Sequence, residues 1–340
     1  MSFLNQVKET ELIFDGGSLV INPDGTIADE LKLFEEDYRI YALEEIKQCK
    51  IKKSVDEDPN VIAKIYDALV LGIKDYFRKL NFATATLGLS GGIDSAVSLV
   101  LATRALGADN IRVLLLPSKI SSEHSVIDAI QLAENLGVKY DIINIQHIVD
   151  TFNESLELIF KGLKSDVTEE NIQARVRGTL LMALSNKFGN ILLNTSNKSE
   201  AAVGYGTLYG DMNGGLSVLG DVYKTDVFKL AKFINRKKEI IPKNTIDKPP
   251  SAELRPEQKD SDSLPDYDVL DKILFEYIEL QKPIEDILEN GFVKNMVEKI
   301  ISLVDRNEYK RYQAPPILRI SSKAFGAGRR MPLVAKFDYE

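Results

Sequence analysis

The chain has 340 residues, 44% hydrophobic and 28% charged, which is ordinary for a soluble globular protein with one large domain or two smaller ones. Its net charge of −8 disfavours a nucleic-acid partner. No apolar run is long enough to cross a bilayer, so we expect no membrane partner. One cysteine, Cys49, excludes an intramolecular disulfide. The first residues lack the basic and apolar regions of a signal peptide, which predicts a cytoplasmic location.

The N-terminal residues differ from the rest of the chain. Short strands are predicted at 11–14, 18–21 and 26–28, separated by the turn signals Asp15-Gly16-Gly17 and Asn22-Pro23-Asp24-Gly25. Hairpins of this size are marginal alone, so we expect them to be the end of something larger. We divide the chain into residues 1–46, a charged linker at 47–59, and a main domain at 60–340.

The main domain alternates strands and helices after an amphipathic helix at Asn60–Leu80. Strands are predicted at 83–89, 111–116, 140–145 and 190–194, and helices at 94–106, 122–136, 149–161 and 169–187. This alternation predicts an α/β fold with a doubly wound, Rossmann-like parallel sheet, in which ligands bind beyond the carboxyl ends of the strands. From Asp226 onward the pattern is helical, with a long polar, proline-rich break at Lys243–Tyr267.

The most informative segment is Ser90-Gly91-Gly92-Ile93-Asp94-Ser95, between an apolar strand and an apolar helix. Adjacent glycines allow a sharp turn, and the amide groups of the turn and the helix start can hold an anion. Asp94 adds a carboxylate for a metal ion beside that anion, so the segment indicates magnesium pyrophosphate. The segment lacks the Lys-Ser/Thr pair of a Walker A motif. The alternative interpretation is an ordinary glycine turn.

Two further clusters are expected near the same sheet edge. Asn194–Glu200 follows a short buried strand, where Thr195 could hydrogen-bond a nucleotide and Glu200 could join Asp94 as a magnesium ligand. The alternative is a helix start capped by Ser196. Lys224 ends a glycine-rich loop and could neutralise phosphate charge, or could be a surface lysine.

Three other segments carry polar groups at suggestive spacing. Asn171 and Arg175 are four residues apart and share a helix face that could read a substrate or could simply be solvated. The segment 247–254, which contains Ser251, is either a lid or a passive surface excursion. Lys310 lies in a basic group that could meet phosphates or solvent.

In this order the motifs resemble NAD synthetases, ATP pyrophosphatase (PP-loop) enzymes, and specifically the synthetase part of a glutamine-dependent one. The matching stretches are GLSGGIDS (Gly88–Ser95), PSKISSEHS (Pro117–Ser125), ENIQARVRG (Glu170–Gly178), NTSNKSE (Asn194–Glu200), GDVYKTDVF (Gly220–Phe228), KPPSAELRPEQKDSDSLPDYDVLD (Lys248–Asp271) and EYKRYQAPP (Glu308–Pro316).

The resemblance implies an adenine nucleotide α-hydrolase fold and a ligase that converts deamido-NAD to NAD. ATP would adenylate the nicotinate carboxylate, releasing pyrophosphate, and ammonia would displace AMP. The implied ATP contacts are Gly88, Leu89, Ser90, Gly91, Gly92, Ile93, Asp94, Ser95, Thr195, Lys224 and Ser251, with Asp94 and Lys224 catalytic. The implied deamido-NAD contacts are Asn171, Arg175, Glu200 and Lys310, and the implied Mg²⁺ ligands are Asp94 and Glu200.

Departures from the ammonia-dependent relatives point to the glutamine-dependent branch. Leu208 stands where those relatives commonly have a substrate lysine, and Leu115 and Leu116 stand where they have an ATP-binding arginine. The N-terminal hairpin resembles the last strands of a nitrilase-like glutaminase domain. We therefore expect a C-terminal fragment that uses free ammonia and forms a homo-oligomer. The alternatives are another PP-loop enzyme, such as GMP synthetase or a tRNA-modifying enzyme, and a non-catalytic nucleotide-binding module.

Overall fold

The computed structural model describes residues 11–49, 60–255 and 258–334, so most of the predicted linker lies outside the described residues. The strands are β1 (Leu19–Ile21), β2 (Ile27–Glu30), β3 (Ala85–Gly88), β4 (Ile111–Leu115), β5 (Lys139–Ile142), β6 (Ile191–Asn194) and β7 (Leu216–Ser217). The first helices are α1 (Leu43–Lys47), α2 (Val61–Leu80), α3 (Ile93–Leu106), α4 (Glu123–Leu136), α5 (Gln146–Leu156) and α6 (Val167–Phe188). The later helices are α7 (Lys198–Val203), α8 (Lys224–Ile234), α9 (Lys243–Asp247), α10 (Tyr267–Ile278), α11 (Ile284–Leu288), α12 (Lys294–Arg306) and α13 (Glu308–Arg311).

A parallel sheet of five strands in the order β5-β4-β3-β6-β7 organises the molecule. Within this sheet the chain enters at the central strand β3 and continues outward through β4 and β5. It then crosses to β6 on the other side of β3. The topological switch point therefore lies between β3 and β6, where the loops that leave these two strands diverge. Open α/β sheets bind ligands at this crevice. The doubly wound sheet expected from the sequence is confirmed.

Helices cover both faces of the sheet, as the alternation of side chains along β4 shows. Val113 and Leu115 point into the core that contains α2, α3, α4 and α8. Leu114, between them, points into a smaller core on the opposite face with α5 and α6. Since alternate residues of a strand face opposite sides, a fully apolar strand is required where both faces are packed. Within the described residues, no helix combines the length and the apolar character needed to span a membrane.

The apolar face of α2 belongs to the main core, where Leu69, Ile73 and Phe77 are buried. The buried face of this helix is therefore used within the chain. The N-terminal segment approaches α2 at Gly72. A Cβ added to Gly72 would lie 2.9 Å from the side chains of both Ile13 and Leu318. The residues before the hairpin β1–β2 therefore lie beside both α2 and the C-terminal segment.

Several predicted elements differ from the structure. Residues 11–14 do not form a strand, because Leu12 makes only an isolated parallel bridge to Arg319. The polar break at 243–267 is partly helical, with α9 and a short 3₁₀ turn at Asp260–Asp262. The helix predicted at 149–161 begins three residues earlier and ends at Leu156. Local pattern did not indicate α1, a single exposed turn at 43–47.

A second core is formed by the C-terminal helices α10, α11 and α12 together with α7. Beside it lies a fully buried lysine, Lys198, which ion-pairs with Asp221 at 2.8 Å and with Glu279. Burial alone would raise the pKa of Glu279, but hydrogen bonds from Lys198 and Ser322 and the charge of Lys198 hold it below the usual value. The Lys198 ammonium also donates to the hydroxyl of Ser321 at 2.8 Å, so this cluster ties the start of α7 to the C-terminal segment.

We predict that Lys198→Met strongly destabilises the chain, because two buried carboxylates would lose their cation. The expected loss is about 3–5 kcal/mol in the free energy of unfolding, measured by chemical denaturation. Lys229→Met is the matched control, since Lys229 pairs with Asp226 at the surface and should contribute less than about 1 kcal/mol. Equal losses in the two variants would contradict the assigned role of the buried cluster.

Candidate active site

The turn that follows β3 is held by its own serine side chains. The amide of Gly92 donates to the Ser90 hydroxyl at 3.2 Å, and the Ser95 hydroxyl donates to the Gly92 carbonyl at 3.0 Å. The first hydrogen bond of α3 runs from the Ala96 amide to Gly92. The amides of the three residues before Ala96 therefore lie ahead of the helix's own ladder, where they can receive an anion.

Gly91 is required in this turn for two reasons. Its φ of +79° lies in the left-handed region, and an added Cβ would stand 2.1 Å from the carbonyl oxygen of Ser125. Ser125 lies in the first turn of α4, so the glycine lets that helix approach the turn closely. A side chain at position 91 would push the two elements apart.

The loop after β6 brings a second set of polar groups to the same place. Asn197, and not Ser196 as predicted, caps α7 by accepting from the amide of Glu200, and Glu200 completes the capping box. The amide group of Asn197 also donates to Asp94 Oδ1 at 2.9 Å. The capping interpretation and the functional one are therefore compatible, because the cap holds Glu200 beside Asp94.

Lys224 is the cation at the centre of this site. Its ammonium lies 2.6 Å from Asp94 Oδ2 and 3.1 Å from Glu200 Oε1, and its side chain is almost fully buried. Burial opposes its charge, but the two carboxylates outweigh burial and raise the pKa of Lys224. Burial raises the pKa of Glu200 to about 7, with the Lys224 charge acting against the rise and Asp94 adding to it. The predicted alternative of a surface lysine is wrong.

Asp94 and Glu200 are suited to a hard cation. Mg²⁺ prefers oxygen ligands and usually combines one or two carboxylates with phosphate oxygens and water. Across residues 11–49, 60–255 and 258–334, no group of three or more His, Cys, Asp or Glu side chains is arranged to hold a metal. Asp94 and Glu200 supply two oxygen-bearing side chains beside the turn, the number that Mg²⁺ commonly takes from a protein when phosphate and water complete its shell.

These groups line a cavity of about 1130 Å³ at the carboxyl ends of the strands. The predicted residues that line it are Gly88, Leu89, Ser90, Gly92, Ile93, Asp94, Ser95, Asn171, Thr195, Glu200, Lys224, Ser251 and Lys310. Segments from the whole length of the main domain thus contribute to one cavity, which is large enough for a nucleotide together with a second substrate.

Two predicted residues do not line the cavity. Gly91 packs under the turn against α4, as described above. Arg175 is exposed, and its guanidinium donates to the carbonyl of Leu208 at 3.2 Å. Gln173 and Arg177 on the same helix do line the cavity, whereas the Arg175 side chain turns to the loop that contains Leu208. The shared face that the sequence suggested for Asn171 and Arg175 therefore does not lead both into the cavity.

The segment after α9 covers one side of the cavity. The Ser122 hydroxyl donates to Glu253 at 3.0 Å, and the Lys248 ammonium donates to the Ser125 hydroxyl at 2.8 Å. Gln173 on α6 donates to the carbonyl of Leu254 at 2.9 Å. The segment is therefore attached both to α4 and to α6, and Ser251 faces the cavity between these attachments.

Sequence reasoning missed Asp260 and Arg177, both of which line the cavity. Asp260 is buried and accepts hydrogen bonds from the hydroxyls of Tyr205 at 3.2 Å and Tyr267 at 2.9 Å. No local pattern marks this aspartate, since it lies in a polar run outside the predicted elements. Arg177 is four residues after Gln173, a spacing that places the two on one helix face.

Comparison with known proteins identifies the family of this chain. The sequence profile of the family described as NAD synthase matches residues 65–314. The chain belongs to the NAD synthase family. Over 337 residues it is 52% identical to the glutamine-dependent NAD(+) synthetase of Acinetobacter baylyi, and the match covers 98% of this chain and 62% of that protein. The chain therefore spans about three fifths of the length of that relative.

Solved structures of the NAD synthase family share the architecture. The glutamine-dependent NAD+ synthetase of Acinetobacter baumannii in complex with ADP matches with a TM-score of 0.69 and 45% identity, over 98% of this chain and 61% of that chain. The NMN synthetase of Francisella tularensis matches with a TM-score of 0.62 and 30% identity, over 74% of this chain and 95% of that chain.

We predict that Gly91→Ala destabilises the turn and lowers nucleotide binding, because the new methyl group would collide with the Ser125 carbonyl. Gly137→Ala is the matched control: Gly137 has a φ of +67° but open space around it, so only the left-handed strain of about 1–2 kcal/mol is expected. Thermal unfolding and nucleotide titration of both variants measure the difference. Equal effects in the two variants would refute the close approach.

Proposed function

We propose that the chain catalyses the ATP-dependent amidation of deamido-NAD to NAD, with release of AMP and pyrophosphate. One observation carries the proposal: Asp94, Glu200 and Lys224 meet beside the anion-binding turn, in a cavity at the switch point of the sheet. The relative crystallised with ADP supports a nucleotide in this cavity. Family membership favours this reaction over that of GMP synthetase.

In the first step, an oxygen of the nicotinate carboxylate attacks the α-phosphorus of ATP, and the bond from the α-phosphorus to the bridging oxygen breaks. Pyrophosphate leaves with the bonding electrons. The amides at the start of α3 and the hydroxyl of Ser90 would bind the departing phosphates, while the Ser95 hydroxyl holds the turn through the Gly92 carbonyl. Lys224 would stabilise the charge that grows on the leaving group.

In the second step, ammonia attacks the acyl carbon of the adenylate. The carbon–oxygen bond to the phosphate breaks, AMP leaves, and the nitrogen loses a proton to give the amide. Asp94 and Glu200 would hold Mg²⁺, which when bound shields the phosphate charges from the incoming carboxylate. Thr195 and Ser251 are proposed ATP contacts, and Asn171, Arg175, Glu200 and Lys310 are proposed deamido-NAD contacts.

The first prediction of this function is a deamido-NAD-dependent exchange of labelled pyrophosphate into ATP. Asp94→Ala is expected to lower the exchange rate about a hundredfold or more, because the site loses a carboxylate that faces the phosphates. Asp141→Asn is the control, since Asp141 lies on the edge strand β5 and pairs with Arg112 of β4. Nucleotide binding without exchange would instead support the non-catalytic module. A preference for the mononucleotide form of the substrate over deamido-NAD would instead indicate the activity of an NMN synthetase.

We also propose that the chain works within a longer protein that supplies a glutaminase domain, of which residues 1–46 are a remnant, and that it forms a homo-oligomer. Leu19 and Ile21 of β1 are exposed apolar residues, which supports a packing partner for the hairpin. Residues 60–340 would form the synthetase domain, joined through the linker at 47–59.

The corresponding prediction concerns the nitrogen donor. The isolated chain should form NAD with ammonium chloride and should form none with glutamine, because glutamine hydrolysis is assigned to the glutaminase domain that the longer protein would supply. Production of NAD is measured enzymatically with each donor at matched pH. Glutamine-driven turnover by the purified chain would disprove the remnant interpretation, and light scattering on the same sample measures the oligomer.

A further inference from the structure

Arg177 is a cation of the cavity that has no counter-ion. Its Nε donates to the carbonyl of Leu116 at 3.0 Å, which leaves the four N–H groups of its two terminal nitrogens for other partners. Within the described part of the chain, it forms no ion pair with a carboxylate. Because a half-buried cation without a counter-ion is only partly compensated for its lost solvation, this arrangement suits an anion that arrives from outside.

The other cavity cations are either exposed or already engaged: Lys119 is exposed, and Lys248 donates to the Ser125 hydroxyl. Lys224 pairs with Asp94 and Glu200, and Arg255 pairs with Asp262 at 3.1 Å. Lys310 donates to two backbone carbonyls at 2.8 Å. Burial lowers the pKa of Arg177 to about 10, with the more distant charges of Glu253 and Asp211 acting against the shift. A guanidinium remains charged at neutral pH even so.

Arg177 lies beside the end of the strand next to the one that leads into the anion-binding turn. Leu116 immediately follows β4, the strand beside β3, and the amide of Leu89 pairs with the carbonyl of Leu114 at 3.0 Å. One turn further along α6, Leu181 packs against Gly88. A Cβ added to Gly88 would lie 3.2 Å from Leu181 Cδ1. Arg177 therefore lines the cavity at the end of the strand that neighbours the Ser90–Ser95 turn.

We propose that Arg177 binds phosphate oxygens of the ATP that enters the cavity. The terminal nitrogens of a guanidinium match two oxygens of one phosphate, which an ammonium cannot do. This inference rests on the proposed function, since it assigns one more group to the same nucleotide. Arg177 is thus a substrate-binding residue that lies within the matched stretch Glu170–Gly178 but received no role in the sequence analysis.

The test compares the binding of α,β-methylene-ATP and of adenosine by calorimetry. Arg177→Gln should weaken binding of the analogue about tenfold to a hundredfold, the usual value of a hydrogen bond to a charged group. Adenosine has no phosphate, so its affinity should not change. Lys187→Gln is the control, because Lys187 is exposed near the end of the same helix.

Each outcome is decisive. Unchanged affinity for the analogue, or an equal loss for adenosine, would overturn the assignment of Arg177 to phosphate. If the wild-type chain binds the analogue and amidates deamido-NAD while Arg177→Gln behaves like wild type, only this inference fails. A wild-type chain that binds no nucleotide refutes the proposed function and this inference together. Should Arg177→Gln fail to fold, Arg177→Lys decides, with a smaller selective loss expected and wild-type affinity contradicting the need for a guanidinium.

Discussion

The contact of one ammonium with two carboxylates is the constraint on which the site depends. Lys224 begins α8, Asp94 lies in the first turn of α3, and Glu200 lies in the first turn of α7. The three come from distant parts of the sequence and meet only because β3 and β6 are neighbours in the sheet. An unpaired charge in this environment would be strongly destabilising. These three charges are compatible with burial because each has a partner of opposite sign.

Buried polar contacts behind the site hold these three residues in place. Asp271 on α10 accepts from the Ser199 hydroxyl at 2.5 Å and from the Thr225 amide at 2.8 Å. Ser199 in turn accepts from the Lys224 amide at 2.9 Å. The carboxylate of Asp271 therefore joins the start of α7 to the start of α8. Helix α10 therefore supports the site from behind, because Asp271 itself does not line the cavity.

Charge is distributed unevenly around the cavity. Asp94, Glu200 and Asp260 lie near Lys224, so that region has a surplus of negative charge. Arg177, Lys248 and Lys310 have their pKa values lowered by burial, which indicates that no nearby carboxylate compensates them fully. Such a separation suits a ligand that combines phosphates with a divalent cation, as the proposed reaction requires.

The sequence by itself determined four of the five strands of the parallel sheet, the helices between them and the Ser90–Ser95 turn, because periodicity and glycine chemistry act over a few residues. It also indicated Glu200, whose motif follows a strand, and Lys224, which ends a glycine-rich loop. Only the tertiary structure decided that Arg177, and not Arg175, lines the cavity. That choice depends on how α6 is rotated against β4 by the packing of its apolar residues, which is a contact between segments about sixty residues apart and leaves no local pattern.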